Sequence, residues 1–218
     1  MMSKSIIHLI GIMALVLVLI SVSTAQVKFG ATLGATISNL STDPDEGVSS
    51  DSKTGFTLGA FLEYPVNDNL NIRSGASFTK KGAQFSAEES GIKVDGSTNL
   101  SYLTVPILAQ YKFNTTATTP YVIGGLDIGI LMSADVEAKI SGTIFGITFD
   151  SDTSYSVKDD LSSTDIAFNV GAGYMMEMGN ARVYGEILYS LGLLDIDSAG
   201  DDVAVKTKGI IVAVGYIF

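Results

Sequence analysis

The chain lacks several residues on which common protein chemistries depend. It has no cysteine and no tryptophan, and its single histidine is His8. Without cysteine it has no disulfide, no thiolate nucleophile and no zinc–thiolate site. His8 lies in a segment that we expect to be removed, so the mature chain also lacks serine–histidine catalysis and histidine-based metal sites. We therefore predict no catalytic residue, cofactor or metal centre, and no enzymatic activity.

Positive charge is also scarce. The chain has 13 lysine and arginine residues against 23 acidic residues, a net charge of -10. Nucleic-acid binding needs a basic stripe, so a nucleic-acid partner is not expected. Charged residues make up only 17% of the chain and hydrophobic residues 46%, against a typical charged share of about 25%.

The N-terminal segment accounts for part of this hydrophobicity. Lys4 precedes an apolar run over residues 6–20, and the small residues Ser23 and Ala25 follow it. This order is typical of a secretory signal peptide cleaved after Ala25, and an uncleaved membrane anchor is the alternative. Without cysteine at the cleavage site, the chain is not a lipoprotein. We predict a signal peptide at residues 1–25 and a single exported domain at residues 26–218.

After residue 26 the hydrophobic pattern has a period of two, which predicts β-strands. Eight segments follow this pattern, each with the 9–11 residues that a tilted strand needs to cross a bilayer plus some overhang. Their connections are short at 67–69, 114–119 and 179–180, and long and polar at 41–53, 82–99, 134–163 and 195–205. The eight segments are residues 27–40, 54–66, 70–81, 100–113, 120–133, 164–178, 181–194 and 206–218.

Short turns at one end and long loops at the other are typical of outer-membrane barrels. We therefore predict an all-β fold: an eight-stranded, antiparallel, up-and-down transmembrane β-barrel preceded by a cleaved signal peptide. The expected location is the outer membrane of a Gram-negative type of cell, with outer-membrane lipid as a partner.

Each predicted strand has one apolar stripe and one stripe of glycine, serine and threonine with a few charges. The sixth strand, for example, alternates Met176 and Met178 with Glu177. No charged residue falls on any apolar stripe, so we predict that these stripes contact lipid and that the other stripes fill a narrow lumen. The alternative is a soluble, lipocalin-like carrier, but its outer surface would need about 25–35% charged residues.

The lumen stripes contain charges of both signs, which we predict to form a structural network. If Gly179-Asn180 is a two-residue turn, Glu177 lies opposite Arg182; if 67–69 is the other turn, Glu63 lies opposite Arg73. Pairing would avoid unpaired buried charge, and the alternative is separate hydration by lumen water. The predicted network consists of Glu63, Arg73, Lys112, Asp127, Glu177, Arg182 and Glu186, in which Lys112 and Asp127 extend the two pairs.

Residues 101–113 carry the pattern Tyr-Leu-x-x-Pro-x-Leu-x-x-Tyr, with Tyr102, Pro106 and Tyr111 among its members. This strand resembles one in the porin-family, PorT-like outer-membrane β-barrel domain common in Bacteroidota. Residues 29–40, with Gly30 and Gly34, and residues 119–131 resemble other strands of that family. The resemblance covers the mature chain and implies the fold, whereas one branch of the family assists secretion across the outer membrane.

The last strand, residues 209–218, ends in Tyr216 and Phe218. A terminal aromatic residue after alternating hydrophobic residues resembles the signal that the barrel-assembly machinery reads. We therefore expect that machinery to be a partner during biogenesis, and an interfacial anchor is the alternative role for Phe218.

Most acidic residues lie in the long connections. They would bind divalent cations that bridge lipopolysaccharide phosphates, or a basic partner; the alternative is a solvated loop surface. A calcium loop at 195–202 fails because Ala199 and Lys206 occupy ligand positions. Residues 171–176 lack the third glycine of a dinucleotide loop. The loop acids are Asp43, Asp45, Glu46, Asp51, Glu88, Glu89, Asp95, Asp135, Glu137, Asp150, Asp152, Asp159, Asp160, Asp195, Asp197, Asp201 and Asp202.

Residues 139–149 alternate again and predict a small hairpin above the membrane, in which Phe145 and Phe149 would form a contact site or pack within the loop. Taken together, these features predict a structural or binding role through long acidic loops. The alternatives are an accessory role in secretion, a lipid-modifying enzyme and a soluble carrier.

Overall fold

The computed structural model describes residues 27–43, 51–89, 92–113, 116–144, 147–197 and 204–218. The predicted signal peptide, residues 1–25, lies outside the described residues. Within the described ranges, no helix is long and apolar enough to cross a membrane.

Almost all of the described residues belong to β-strands. One 3-10 turn, Lys158–Asp160, separates the sixth strand from the seventh. The strands are β1 (Lys28–Asp43), β2 (Asp51–Pro65), β3 (Leu70–Glu89), β4 (Ile92–Lys112), β5 (Thr118–Ile144), β6 (Ile147–Ser156), β7 (Thr164–Met178), β8 (Ala181–Gly192) and β9 (Ala204–Ile217).

Eight of these strands close into a ring. Their order is β4-β3-β2-β1-β9-β8-β7-β5, and an additional β4–β5 pairing joins the two ends. Every pairing is antiparallel. The predicted eight-stranded barrel is therefore confirmed, and closure leaves the ring without the unpaired edges that a bilayer does not tolerate.

The start of β1 and the end of β9 lie at the same end of the barrel, since Gly30 pairs with Ile217. The short connections lie at this end too. Gly179 occupies the left-handed region with φ of 66°, a conformation that glycine adopts without steric cost. It allows the tight turn between β7 and β8 that the sequence predicts.

The apolar stripes face outward, as predicted. Phe29 is 63% exposed, Val170 49% and Val214 59%, whereas the lumen-facing Ile217 is fully buried. This orientation contradicts the lipocalin-like alternative, in which the apolar stripe points inward.

The prediction that no apolar stripe carries a charge is wrong at one rim. Lys80 continues the outer stripe of β3, and Lys208 continues that of β9 between exposed Ile210 and the end of the strand. Both lie toward the end of the barrel with the long connections. The Lys80 ammonium lies 5.8 Å from the Phe56 ring centroid, so its stem covers apolar surface while its charge reaches the rim.

Inside the barrel, glycines make space for aromatic rings. A Cβ on Gly173 would lie within van der Waals overlap of the Tyr121 ring, and one on Gly215 would overlap the Tyr184 ring. Small residues on one wall thus let large side chains from the other wall fill the lumen, as expected for a barrel of this strand number.

Strands β3, β4 and β5 are longer than predicted, and β6 is an additional strand. β3 and β4 stay paired to Glu89 and Ile92, and the upper part of β5 pairs with both β4 and β6. The connections at 82–99 and 134–163, predicted as long polar loops, are therefore paired strands over most of their length. Their small polar residues are typical of loops, although the period of two continues through them.

We name the part beyond the barrel the projecting sheet: residues 82–89 of β3, 92–99 of β4, 134–144 of β5 and all of β6. The hairpin predicted at 139–149 lies within it, since Ile144 pairs with Ile147. Phe145 lies outside the described residues, and Phe149 is half-buried.

Candidate functional site: the closed lumen and the projecting sheet

Arg73 of β3 lies at the centre of the lower lumen, by which we mean the half nearer the short turns. Its Nη1 donates to Glu186 of β8 at 2.8 Å (Oε2) and 3.1 Å (Oε1). The guanidinium also lies 4.7 Å from the Phe61 ring centroid and 4.6 Å from that of Tyr184. Charge pairing and cation–π contacts thus replace the water that the cation gives up.

Glu186 has a second partner, because the Tyr121 hydroxyl donates to its Oε2 at 2.8 Å. A second ion pair lies nearby: Arg182 Nη2 donates to Glu63 Oε1 at 2.7 Å, and Arg182 Nη1 contacts the Met175 sulfur at 3.1 Å. Both carboxylates are buried, and the arginine beside each one compensates part of the cost of its burial.

Gln110 of β4 joins the two ion pairs. In the amide orientation that satisfies its neighbours, its oxygen accepts from Arg73 Nη2 at 2.9 Å and its nitrogen donates to Glu63 Oε2 at 3.3 Å. Gln110 is fully buried. The lower lumen therefore holds one connected, charge-balanced network, which we call the charge plug: Glu63, Arg73, Gln110, Tyr121, Arg182 and Glu186.

The structure corrects the predicted partners within this network. Glu63 is opposite Arg73, and Glu177 is opposite Arg182, in the predicted register. However, Arg73 pairs with Glu186 and Arg182 pairs with Glu63, between strands that are not neighbours in the ring. In so narrow a barrel, a long arginine side chain reaches the opposite wall. Register between adjacent strands does not predict contacts of this kind.

The other predicted members lie apart from the charge plug. Glu177 is exposed, and none of the residues that the structure describes forms a salt bridge with it. It borders an opening of about 170 Å³ at the short-turn end, together with Lys28, Lys112 and Arg182.

Lys112 and Asp127 do not extend one network, because Lys112 pairs in register with Tyr121 whereas Asp127 pairs with Pro106. Six strand positions, or about 20 Å, separate them. Asp127 belongs to a higher layer of the lumen. Its lumen-facing neighbours Asp165 and Asn169, both buried, were not among the predicted residues.

An apolar cluster closes the other end of the lumen. Leu100 is 1% exposed, and Ile196, from the connection after β8, is also 1% exposed. The connection folds inward because the Ser162 N–H donates to the Ile196 carbonyl, and the Ile196 N–H donates to the Val205 carbonyl. The cluster comprises Leu100, Tyr102, Leu131, Ala134 and Ile196, with Leu40, Val157, Leu161 and Val205 packed against it.

The projecting sheet has the opposite polarity from the barrel. Its inner face, which continues the lumen wall, carries apolar side chains, of which Phe85, Ile140 and Tyr155 are between 43% and 54% exposed. Its outer face, which continues the lipid-facing wall, is polar. The register assigns Gln84, Ser86, Lys93, Asp95, Glu137, Lys139, Asp150, Asp152 and Ser154 to the outer face.

The outer face is acidic and borders a cleft of about 770 Å³ lined by Lys93, Asp95, Glu137, Lys139 and Asp152, among others. Its lysines already have partners: Lys93 lies 2.9 Å from Asp95, and Lys139 lies 3.2 Å from Asp150. The Ser86 hydroxyl donates to Asp95 at 2.6 Å. That hydrogen bond, together with Lys93, lowers the pKa of Asp95.

At the rim, Asp195 has a structural role. Its Oδ1 accepts from the backbone N–H of Val205 at 2.8 Å and that of Asp197 at 3.0 Å. These bonds lower the pKa of Asp195. In the described ranges, no three acidic side chains come together to hold a metal ion. Asp45, Glu46, Asp201 and Asp202 lie outside the described residues.

The predicted assembly signal lies at the opposite, short-turn end. Tyr216 and Phe218 point outward, 41% and 69% exposed, with ring centroids 5.0 Å apart. The Phe218 N–H donates to the Phe29 carbonyl at 2.8 Å, which fixes the end of the chain to β1.

A search of solved structures finds matches to this chain. Neisserial surface protein A is 16% identical, with 86% of this chain and 95% of that chain covered and a TM-score of 0.41. Ail, the attachment invasion locus protein of Yersinia pestis, is 18% identical over 88% and 98% (TM-score 0.40). The outer membrane protein OprG from Pseudomonas aeruginosa is 13% identical over 88% and 94% (TM-score 0.37). Comparison with curated proteins gives no match.

The family described as "Outer membrane protein beta-barrel domain" matches residues 23–198 of the chain. This range includes β1 to β8 and both arginines of the charge plug. The chain therefore belongs to the outer membrane β-barrel proteins, and the apolar band around its ring lies in the outer membrane.

Proposed function

We propose that this protein is a closed barrel that anchors a binding surface, the projecting sheet, at the outer membrane. The observation that carries the proposal is a contrast. Side chains fill the lumen at two levels, whereas a four-stranded sheet extends beyond the barrel. The charge plug occupies the lower lumen, and the Leu100–Ile196 cluster covers the upper end. Within the part of the chain that the structure describes, these two levels leave no continuous aqueous path for conduction.

Conductance in planar bilayers tests the closed lumen. The purified, folded protein is expected to give no sustained current steps. The matched variant replaces Arg73 and Glu186 together by serine, which removes the central ion pair and enlarges the lumen. Sustained steps with the unchanged protein would contradict the proposal, whereas steps only with the variant would support it.

The chemistry of the outer face favours a basic protein partner. Glu137 and Asp152 line the cleft, while Lys93 and Lys139 are already paired with other acids. The acids exceed the bases on this face, so it would attract a lysine- or arginine-rich surface and weaken as salt rises.

Binding of a lysine-rich peptide to proteoliposomes tests this surface. The variant Glu88→Gln/Glu137→Gln/Asp152→Asn is expected to reduce binding at least about tenfold, since each lost pair removes attraction across the interface. The matched control neutralises Asp68 and Glu177 at the short-turn end and should bind normally. Equal binding by all three proteins would contradict the proposal, and loss of binding with EDTA alone would assign it to bridging divalent cations.

An accessory role in secretion is the second candidate. The strand at 101–113, with Tyr102 and Tyr111, supports a PorT-like relationship. Deletion of the gene would then reduce the amount of secreted cargo while leaving the outer-membrane protein pattern unchanged. Normal secretion would reject this candidate. Enzymatic activity is not proposed, because the mature sequence supplies no histidine or cysteine for catalysis.

We also propose that Tyr216 and Phe218 direct assembly by the barrel-assembly machinery. Their exposed rings at the end of β9 support the proposal. Removing Phe218 is expected to lower the amount of folded barrel in cells without lowering refolding of the purified chain into detergent. Equal losses in both assays would indicate a purely structural anchor.

A further inference from the structure

A second polar layer lies above the charge plug, where β4, β5 and β7 meet. Asp127 of β5 pairs in register with Ala167 of β7, so the lumen-facing Asp165 and Asn169 flank it on both sides. Diagonal neighbours of this kind lie about 7–8 Å apart, within reach of shared ligands. On the other side, Thr104 of β4 pairs with Gly129 and is the diagonal neighbour of Asp127.

These side chains are buried, and several of their polar atoms have no protein partner. Asn169 is 1% exposed and Thr104 4%. Neither side chain makes a hydrogen bond of 3.5 Å or less, and the Asn169 amide interacts at longer range with the Asp127 carboxylate. Asp127 Oδ1 and Asp165 Oδ1 are also buried without a partner. Since buried polar atoms are normally satisfied, these four residues on three adjoining strands point to a ligand shared between them.

The layer also carries an excess of negative charge. Lys81 Nζ lies 3.5 Å from Asp165 Oδ2, which the Thr207 hydroxyl also contacts at 3.0 Å. The Lys81 ammonium also attracts the Asp127 carboxylate, so this one lysine faces two carboxylates. These two contacts hold Asp165 Oδ2 in place, whereas Asp165 Oδ1 has no hydrogen-bond partner among the described residues.

We propose that Asp127, Asp165 and Asn169 form a binding site for a calcium ion inside the barrel, with Thr104 as a further oxygen ligand. Two carboxylates, an amide and a hydroxyl are hard oxygen donors, which calcium accepts in irregular arrangements, whereas magnesium demands near-octahedral geometry. The site differs from a cluster of three acids because the amide and hydroxyl replace the third carboxylate. With its two positive charges the ion would outweigh the single negative charge that Lys81 leaves on the layer, and it would fix β5 against β7.

The Leu100–Ile196 cluster covers this layer, so the ion would enter during folding. The mature chain is therefore refolded from urea into detergent micelles with calcium, with magnesium or with EDTA, then passed into EDTA and analysed for bound metal. The expected result is close to one calcium ion retained per chain. Metal far below this ratio would overturn the proposal and leave water or Lys81 as the partner of these atoms.

Variants separate this site from the acidic outer face of the projecting sheet. Asp127→Asn and Asp165→Asn are each expected to reduce retained calcium at least about tenfold, while Asp152→Asn, on the outer face, retains it. Calcium should raise the Tm of the unchanged protein by about 5–10 °C at a hundredfold excess over Kd, and should not raise that of Asp127→Asn. Equal retention in Asp127→Asn would overturn the proposal, and the stoichiometry of the unchanged chain remains decisive if a variant does not fold.

Terbium provides a readout of position. The chain has no tryptophan, so sensitised emission must come from tyrosine. The Tyr102 ring lies over Gly129, the cross-strand partner of Asp165. Tyr102→Phe should lower terbium emission while metal content is unchanged. Emission that persists in Tyr102→Phe but disappears in Asp152→Asn would place the ion on the projecting sheet and overturn the proposal.

Discussion

The barrel and the projecting sheet share strands yet have opposite polarity. On the outer side of β4, Val105 and Ile107 are exposed to lipid, whereas Lys93 and Asp95 occupy the same side beyond the membrane. On the inner side the order reverses, from Gln110 below to Val94 above. Because the backbone hydrogen bonds of a sheet are satisfied in either medium, the surrounding solvent alone selects which stripe is apolar.

The change coincides with irregularities in strand pairing. The register between β4 and β5 shifts at Ser101/Tyr102, where Met132 is the additional residue, and that between β2 and β3 shifts between Ser52 and Thr57. Bulges of this kind bend strands at barrel rims. They mark the boundary where β3, β4 and β5 leave the ring.

The largest expected effect concerns ion pairs on the two sides of this boundary. Arg73→Met removes the partner of a buried carboxylate and should lower the free energy of unfolding by about 3–5 kcal/mol. Lys93→Met breaks an ion pair of similar length, 2.9 Å, between half-exposed groups, and should cost about 0–1 kcal/mol. Urea unfolding in micelles measures both. If Arg73→Met/Glu186→Gln is no more stable than Arg73→Met, the buried pairing is not the cause.

A charge placed on the outer stripe of β4 tests the polarity change directly. Val105→Arg puts a cation near the middle of the membrane band and should cost about 2–4 kcal/mol. Ser97→Arg lies on the same side of the same strand, in the projecting sheet, and should change stability by about 0.5 kcal/mol or less. Similar costs at both positions would show that the boundary is misplaced.

Hydrogen bonds to carboxylates provide a smaller contrast. Tyr121→Phe removes the hydroxyl that donates to buried Glu186 and should cost about 1.5–3 kcal/mol. Ser86→Ala removes a 2.6 Å bond to Asp95 on the projecting sheet, where water substitutes for the lost donor, and the expected cost is below about 0.5 kcal/mol. A control within the lumen is Tyr184→Phe, because the structure gives the Tyr184 hydroxyl no hydrogen bond to a carboxylate among the described residues.

The smallest expected effect is a loss of local stability around Asp195 at acidic pH. The backbone N–H groups of Val205 and Asp197 hold the pKa of Asp195 below its ordinary value of 3.8. The stabilisation from this depressed pKa is present above pH 3.8 and is lost as the pH falls through the lower folded value. Amide exchange at Val205 should therefore accelerate in that window, while exchange in the barrel strands should not. Asp195→Asn, which keeps the acceptor oxygen, should remove the dependence; an unchanged dependence would assign it elsewhere.

The local pairing in two hairpins could be predicted because turn length fixes register. Gly179-Asn180 places Glu177 opposite Arg182, and residues 67–69 place Glu63 opposite Arg73. The sequence could not predict that each arginine pairs with a carboxylate on a strand that is not its neighbour, since that depends on the distance across the closed ring. Gln110 was missed for the same reason, although its position on the lumen stripe was a usable signal.

The amino-acid sequence by itself determined the alternating stripes, the short turns, the number of strands in the ring and the outward direction of the apolar side chains. Each of these follows from a period of two and from turn chemistry, which are local. The tertiary structure alone decided which charges meet, that Asp127 lies beside Asp165 and Asn169 on the lumen wall, and that the long connections continue as paired strands. These features depend on ring closure, which brings residues together across the lumen and supplies partners that no local pattern specifies.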